Sequence, residues 1–567
     1  MPVACTECRA QHLRCDSKKP TCSRCADARL ACVYLPSRRG GRRRPRADRD
    51  SSQSIVPNAR LISLYYEQFH SAHPILVPPH LYEARNYPLY LQQVVKFIGS
   101  QYSAVLSSDA LAEAAALELS RNVERTPCMV QALLLYSIIL YARNEQHQAE
   151  LSLSRATDIA LELAMYTSNF ATSFVGSQGS EHEAESLRRT WWELFIVEVS
   201  MAALNQNPTA QTQPSLRCSQ APYNVPLPCE EAQYASPSQG AIPSPPSLES
   251  FSMRFFTDDS DDSGEDISAT SSQYSSYAYR VEAIRILART LILNTLRDTQ
   301  THPDHLQAVA NALTNWTNHL PPDKVGVMDM YGTIDEMLFQ AHLTIQYAAM
   351  LLHLPRSNLL ASVQVPNGDT SSPSSSQAIC PVPPTARLSP SLTRQDHDVM
   401  ATEASKTLTN LLSIRSSGRG YSPFAVPVLG LAGLVQLATS ELHPPACADH
   451  HHSRVLLVLG CLKLLRSSWP LGKEAHRMLR RAAARTIERS PSKGTSVERF
   501  RSSGSGSGRG AWLGLTGTPI PGNPNPFSMS PSGSTPMFIG LSEFVDPTCG
   551  DPFLFDRMSV FEGTELG

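Results

Sequence analysis

Six of the chain's 13 cysteines fall within its first 32 residues, in a pattern that repeats itself. Cys5, Cys8 and Cys15 are followed by Cys22, Cys25 and Cys32, so that C-x2-C-x6-C recurs with a shift of 17 residues. A tetrahedral zinc site takes four ligands, so six thiolates serve two ions only if two of them bridge. The repeat points to the first cysteine of each half, Cys5 and Cys22, as the bridging pair. Each C-x2-C can open a short helix whose first-turn amides face the thiolate charge. Asp16-Ser-Lys-Lys-Pro20 connects the halves, with Pro20 setting the turn. Leu13, Leu30, Val33, Tyr34 and Leu35 are too few to form an apolar core, so metal binding is expected to supply most of the folding free energy, on the order of 10 kcal/mol.

Other readings of the cysteines fit less well. A disulfide framework needs an oxidising compartment, and the opening Met1-Pro-Val-Ala-Cys5 has no apolar signal segment. An iron–sulfur cluster uses four cysteines and leaves two idle. A zinc buffer has no use for flanking arginines. The other seven cysteines (128, 218, 229, 380, 447, 461, 549) are scattered and are expected to be reduced thiols.

The motif residues Ala4-Cys5-Thr-Glu-Cys8-Arg9, His12-Leu-Arg-Cys15-Asp16, Lys19-Pro-Thr-Cys22-Ser-Arg-Cys25 and Cys32-Val-Tyr34 resemble the fungal binuclear zinc-cluster (Zn2Cys6) transcription factors. The resemblance implies two Zn2+ ions per chain held by Cys5, Cys8, Cys15, Cys22, Cys25 and Cys32, with Cys5 and Cys22 at the family's bridging positions. It implies a nuclear, sequence-specific regulator of RNA polymerase II genes that binds double-stranded DNA with its first helix towards the major groove. One metabolic or secondary-metabolite pathway is a common target in the family.

Charge agrees with a nucleic-acid partner. Residues 1–50 carry 13 Lys and Arg against five Asp and Glu, a formal +8 that two zinc ions and six thiolates reduce to about +6. The whole chain is −2, so the remainder is −10. A basic head on an acidic body suits a polyanion, and phosphates reward Arg and Lys through counterion release. Arg9, Arg14, Lys18 and Lys19 lie on the first half-repeat and its loop. By resemblance Gln11 and His12 are the residues that read base edges, where many relatives carry two basic residues. Lysine or arginine suits guanine, whereas glutamine pairs with adenine, so a CGG half-site is open at these positions. Phosphate contact alone is the alternative for Arg14 and Lys18. Pro36-Ser-Arg-Arg-Gly-Gly-Arg-Arg-Arg-Pro-Arg46 follows, and Arg38, Arg39, Arg42, Arg43, Arg44 and Arg46 are expected to touch phosphates or form a nuclear import signal, with a solvated linker as the alternative.

Residues 58–485 read as mainly helical, with little period-2 alternation. Val130–Tyr141 is apolar nearly all round and should be buried, with Ala149–Tyr166 as its antiparallel partner. Further helices are expected at 184–203, 278–298, 305–319, 333–352, 398–413, 425–440 and 454–482. The 425–440 stretch, with Pro427 and Gln436, is read as a core helix rather than a membrane span. Leu64-Tyr-Tyr-Glu-Gln-Phe-His70 with Pro74-Ile-Leu76, Arg188-Arg-Thr-Trp-Trp-Glu-Leu-Phe195, Val225-Pro-Leu-Pro-Cys-Glu-Glu231, Trp316 with Leu320-Pro321, and Leu351-Leu-His-Leu-Pro-Arg-Ser357 resemble the middle homology region, the fungal-specific domain that accompanies such zinc clusters. That implies an all-helical regulatory domain. Trp191 and Trp192 are read as core packing rather than a ligand pocket, and His450-His-His452 as a solvated turn rather than a metal site.

The expected organisation is a small metal-nucleated binuclear zinc-cluster domain (1–36), a basic linker (37–57), and a large all-α regulatory domain in three parts (58–234, 277–363, 395–485). Disordered insertions at 235–276 and 364–394 and a disordered tail (486–567) complete it. Residues 541–567 hold six acids, one base and the aromatics Phe544, Phe553, Phe555 and Phe561. Acidic residues keep such aromatics solvated until a coactivator takes them up, which is the pattern of an activation segment; an ordinary acidic tail is the alternative. Residues 51–75 show no sustained heptads, so a homodimer, if formed, lacks a clear coiled coil.

An enzyme with a zinc-bound targeting head is the second reading. H-E-x-x-H, G-x-S-x-G, Walker A and strand-to-helix G-x-G-x-x-G patterns are absent, and closed S4 sites leave no open zinc position for chemistry. An RNA-binding or structural zinc module is the third. RNA recognition usually uses stacking aromatics, and the head offers only Tyr34.

Overall fold

The computed structural model describes residues 5–10, 14–28, 30, 32, 34, 58–103, 107–176, 180–204, 216–236, 245–253, 274–295, 303–363, 392–415, 420–442 and 445–489. They divide into two units, 1–57 and 58–567. The basic linker, most of both expected insertions and residues 490–567, including the acidic-aromatic segment, lie outside the described residues.

Among its described residues the N-terminal unit has two short helices, α1 (Thr6–Ala10) and α2 (Ser23–Asp27), each directly after the first cysteine of a half-repeat. Its buried side chains are Cys5, Cys8, Cys22 and Cys25, with Cys15, Cys32 and Tyr34 packed around them. This core is sulfur, as the scarcity of large apolar residues requires.

The second unit is built of helices. Among the described residues the only β pairing is a single bridge between Met328 and Ile334. α3 (Asn58–Tyr65) crosses α4 (Leu89–Ser100) so closely that a Cβ on Gly99 would lie 2.0 Å from the Leu61 carbonyl oxygen. Only glycine permits that approach. α5 (Pro127–Ala142) starts at Thr126, whose hydroxyl accepts from the Met129 N–H, with Pro127 in the first turn where its missing N–H is harmless. It is buried on almost every side, as its uniform hydrophobicity predicts. A three-residue turn through Asn144 (φ 66°) returns the chain into α6 (Gln146–Glu162), and the Ser152 hydroxyl donates to the Leu133 carbonyl across the pair at 2.9 Å.

α7 (Glu181–Leu204) is the central helix. α5, α6 and α8 (Ser276–Thr295) pack against it, and α9 (Pro303–Asn318) and α10 (Glu336–His353), the last capped by Asp335, pack in turn on α8. α11 (Arg394–Ile414) begins with a Thr393/Asp396 capping box, and α12 (Ala425–Leu442), α13 (Pro445–Leu465) and α14 (Pro470–Arg489) complete the unit. α12 is long and apolar enough to cross a membrane, but 89% of it is buried in the unit's core. Its Gln436 amide donates to Ser405 Oγ at 2.9 Å, and its Oε1 contacts His451 Nδ1 at 2.8 Å.

Three expectations change. The helix expected over 454–482 is two helices, broken at Arg466–Trp469, because Pro470 disfavours helical geometry at the residue before it and restarts the chain as a first-turn proline. His450–His452 is not a turn between loops: the helix starts earlier, at Pro445, and places all three within α13. Inside the stretch 235–276, a helix at Leu248–Met253 is held by Phe251, which is fully buried against Tyr274 and Tyr279, while the Leu227 N–H donates to the Pro246 carbonyl at 2.9 Å.

The family-like stretch on α7 forms the unit's charged centre. Glu185 accepts from Arg188 and Arg189 at 2.9 Å each and from the Cys229 N–H at 2.9 Å. Arg189 continues to Glu231 and to the Cys229 carbonyl, and stacks on Tyr234 at 3.9 Å. Trp191 and Trp192 are both fully buried, and the Trp192 indole donates to the Pro226 carbonyl at 3.0 Å. Glu193, with no exposed surface, accepts from the Arg280 guanidinium, from Tyr277 Oη (2.8 Å) and from His73 Nδ1 (3.0 Å), and His73 Nε2 accepts from the Ser422 hydroxyl (3.0 Å). Burial alone would raise the Glu193 carboxyl, but Arg280 overrides it and holds it at about 2. Burial depresses His73 against the pull of Glu193, so it stays a neutral ring that donates from Nδ1.

Replacing Glu193 by Ala should therefore strand Arg280 in the core and cost about 3–5 kcal/mol, read as a lower urea midpoint at unchanged slope. Because the folded pKa lies below the ordinary carboxylate value, the stabilisation is complete above pH ~4.5 and is lost as pH falls towards 2. The buried neutral His73 adds to the acid sensitivity, since the unfolded chain binds its proton more readily. The wild-type acid transition should flatten in the Glu193→Ala variant.

Candidate metal centre

Each half-repeat places its sulfurs by the same local device. Cys5 precedes α1 and its Sγ accepts from the Cys8 N–H at 3.5 Å; Cys22 caps α2 and its Sγ accepts from the Cys25 N–H at 3.4 Å. A cysteine at the cap and another three residues on thus point into the same space, which is why the motif needs two residues between them. The third cysteine of each half returns from the chain beyond the helix. Cys15 Sγ accepts from the Ser17 N–H at 3.4 Å, and Cys32 Sγ from the Cys22 N–H at 3.3 Å.

The six sulfurs form two quartets, Cys5–Cys8–Cys15–Cys22 and Cys5–Cys22–Cys25–Cys32, and within each quartet all ligand atoms lie within 4.8 Å of one another. Cys5 and Cys22 belong to both. Three sulfur separations are diagnostic: Cys5–Cys22 at 3.8 Å, Cys5–Cys25 at 3.7 Å and Cys8–Cys22 at 3.8 Å. A zinc–sulfur bond of about 2.3 Å gives a ZnS4 tetrahedron an edge of about 3.8 Å, whereas a disulfide would hold two sulfurs at about 2.0 Å. These separations are tetrahedron edges, and the donor set fits two zinc ions.

So many sulfurs cannot ionise together without a cation. Burial pushes the Cys8 thiol up to about 12 and the Cys25 thiol higher still, while the Cys8 N–H draws Cys5 down to about 6. A bound ion supplies the compensating charge and displaces the remaining protons.

The loop between the halves is tied down by a carboxylate that sequence inspection assigned only to a turn. Asp16 accepts from the Ser23 N–H at 3.2 Å and from its hydroxyl at 2.6 Å, joining the loop to the start of α2; the Ser23 hydroxyl is the chief reason that its carboxyl titrates below the ordinary range. Ser17 has φ 57° and the Lys19–Pro20 peptide is cis. The Tyr34 hydroxyl donates to the Lys18 carbonyl at 2.9 Å and lies 3.8 Å from Cys15 Sγ, so the aromatic two residues after Cys32 closes the cluster from outside. The signal for it was the Cys32-Val-Tyr34 spacing.

Arg14, Lys18 and Lys19 are exposed on this loop, and Lys18 Nζ is 3.9 Å from Asp16. Arg9 lies on α1, with its side chain outside the described residues; Gln11, His12 and the six arginines at 38, 39, 42, 43, 44 and 46 are also outside them. Elsewhere Cys128, Cys218, Cys229 and Cys461 are free thiols. Among the described residues, the two cysteine quartets are the sole metal-holding groups.

Full-length protein loaded and then dialysed should retain about two zinc ions per chain. Replacing Cys22 by Ser should reduce that to near zero, because both quartets lose a corner. Cys15→Ser should first weaken one ion and leave the other. Metal content by atomic absorption, with cobalt substitution to watch thiolate charge-transfer bands, checks both; equal losses from the two variants would contradict the shared corner.

Residues 3–41 match the fungal Zn(2)-Cys(6) binuclear cluster domain, and residues 62–318 match the fungal specific transcription factor domain. The C6 finger domain transcription factor iacK of Pestalotiopsis fici is 26% identical over 611 aligned positions, covering 91% of this chain and 83% of that protein. The aflatoxin biosynthesis regulatory protein of Aspergillus flavus is 39% identical over 77 residues, 14% of this chain and 17% of that protein. The elsinochrome C biosynthesis regulatory protein elcR of Phaeosphaeria nodorum is 45% identical over 40 residues, 7% of this chain and 10% of that protein. No solved structure matches the chain. With its doubled cysteine repeat, paired S4 geometry and helical body, the chain belongs to the fungal Zn(2)-Cys(6) binuclear-cluster transcription factors, a family of regulators and not of enzymes.

Proposed function

We propose that this protein is a zinc-dependent, sequence-specific DNA-binding activator of RNA polymerase II transcription that acts in the nucleus on genes of one secondary-metabolite pathway. The observation that carries the reading is the pair of sulfur quartets sharing Cys5 and Cys22, with exposed cations on the loop beside them. Two zinc ions bridged at that pair fix α1 and the segment after it. Arg9, Arg14, Lys18 and Lys19 neutralise phosphates, and Gln11 and His12 read base edges in the major groove. The arginines at 38–46 extend the phosphate track or serve nuclear import. The pathway class rests on the relatives, whose printed names include biosynthesis regulators.

The stretch in which many relatives carry a dimerising coiled coil supports a single half-site here. From Asn58 it forms α3, and Leu61, Leu64 and Tyr65 are buried in the second unit's own core rather than left for a partner helix. The acidic-aromatic segment 541–567 recruits coactivators, its acids keeping the phenylalanines solvated until they are bound.

Site selection from a random duplex pool by the zinc-loaded full chain tests this. One short motif should be enriched, and chelation should abolish the enrichment. Gln11→Ala and His12→Ala should relax discrimination at single base pairs by about 1–3 kcal/mol. Lys18→Ala should weaken all sequences alike and make the salt dependence shallower by about one unit. A pool that emerges without any motif would defeat the proposal. A reporter carrying the selected site should lose activation when 541–567 is removed.

A further inference from the structure

The last two helices carry a second basic surface, far along the chain from the zinc cluster. On α14, Lys473, Arg477, Arg480, Arg481 and Arg485 are exposed. Leu471, Ala475, Leu479, Ala482 and Ala483 face the core, so the cations occupy the opposite side of an amphipathic helix about 30 Å long. Lys473, Arg477, Arg481 and Arg485 recur every four residues, which spaces them about 6 Å apart along the axis. Glu474 is the one acid among the described side chains of α14, and it pairs with Arg477.

Lys463 and Arg466, exposed at the end of α13, join the same field. Half-buried His476 shows the convergence. Burial lowers its pKa first, and Arg466, Arg480 and Lys463 lower it further, so cations of α13, of the turn after it and of α14 all act on one ring. The charge balance outside residues 1–50 is −10, which makes this face an island of the opposite sign.

We propose that this α13–α14 face binds the phosphate backbone of duplex DNA, as a second, sequence-independent contact beside the zinc cluster. It rests on the reading of the chain as a DNA-binding protein. A row of exposed cations with one acid among them and no exposed aromatics suits a duplex backbone; single strands are usually held by stacking platforms. On α13 Leu456 and Leu464 are exposed, eight residues apart, but no large apolar side chain is exposed among the described residues of α14, so that helix lacks the apolar face that an interfacial membrane helix needs. For the same reason it offers no trough for Phe544, Phe553, Phe555 and Phe561 of the acidic segment, the competing polyanion within the chain. The acidic remainder of the body is repelled by DNA, so attraction confined to one face would also orient the body on the duplex.

The test compares the zinc-loaded full chain with its Arg477→Gln/Arg481→Gln/Arg485→Gln variant on the selected duplex and on a random one, across a salt series. Glutamine is a good helix former and these side chains are exposed, so helicity by circular dichroism should be unchanged. On the random duplex, affinity at low salt should fall by about tenfold or more, and the slope of log K against log salt should become shallower by about two to three. Base preference on the selected site should not change. An Arg121→Gln/Arg125→Gln control, which removes two exposed cations elsewhere, should leave both quantities as they were. Unchanged affinity and slope in the triple variant would overturn the proposal. So would a rise in affinity, or an effect that vanishes once 541–567 is deleted, since either assigns the face to the acidic segment. A Cys22→Ser chain separates this from failure of the zinc-cluster reading: its residual binding to random duplex should still respond to the triple substitution. Binding of the selected site with no response on α14 would reject the second contact alone.

Discussion

Glu193 is the carboxylate on which the helical body depends. It is fully buried on the central helix, and it accepts from His73, 120 residues earlier, and from Arg280, 87 residues later. Through His73 the chain of bonds reaches Ser422, at the start of α12. One side chain therefore fixes four segments remote in sequence. Apolar packing is tolerant of small shifts, but a buried charge is not: each donor must be present and correctly placed, or the desolvation of the carboxylate goes uncompensated. Eight residues earlier on the same helix, Glu185 does the same for Arg188, Arg189 and the Cys229 amide. The Arg188–Phe195 stretch that resembles the family is thus understood as two ion-pair centres with two tryptophans packed between them.

The N-terminal unit meets the same need for a unique structure by other means. It has sulfur where the body has leucine and valine, and its geometry is set by coordination. The N–H groups of Cys8 and Cys25 orient the bridging sulfurs, and Asp16 and Tyr34 hold the loop and the return strand of chain against them. Removing a methyl group from the body costs packing at one place. Removing a shared sulfur removes a corner from both tetrahedra.

These two kinds of order were not equally legible in the sequence. Coordination leaves its spacing in the chain, so all six cysteines and the shared pair could be read before any fold was known, and the quartets place them accordingly. Long helices with one or no polar face were legible too, as in α5 and α12. The Glu193 network was not, because nothing local in His73 or Ser422 announces a partner 120 or 349 residues away. The helix expected over 454–482 shows a subtler failure. Its apolar period runs on through Leu462, Leu465, Leu471 and Leu479, so periodicity alone conceals the break that Pro470 imposes. Pro445 begins the helix that carries His450–His452, where a solvated turn was expected.

The electrostatics of the head separate affinity from sequence reading. Lys18 Nζ lies 3.9 Å from Asp16, a largely exposed ion pair that solvent screens. Arg14, Lys18 and Lys19 are exposed, where phosphates can reach them. Such contacts fix position on a duplex without distinguishing one sequence from another. Under the proposed function, discrimination falls to the short segment between Cys8 and Cys15, where Gln11 and His12 stand at positions that by resemblance are basic in many relatives. A glutamine and a histidine there would bring less fixed charge to the base edges than two lysines or arginines. The cations of the loop, the arginines of 38–46 and the proposed basic face on α14 would then supply affinity that does not depend on sequence.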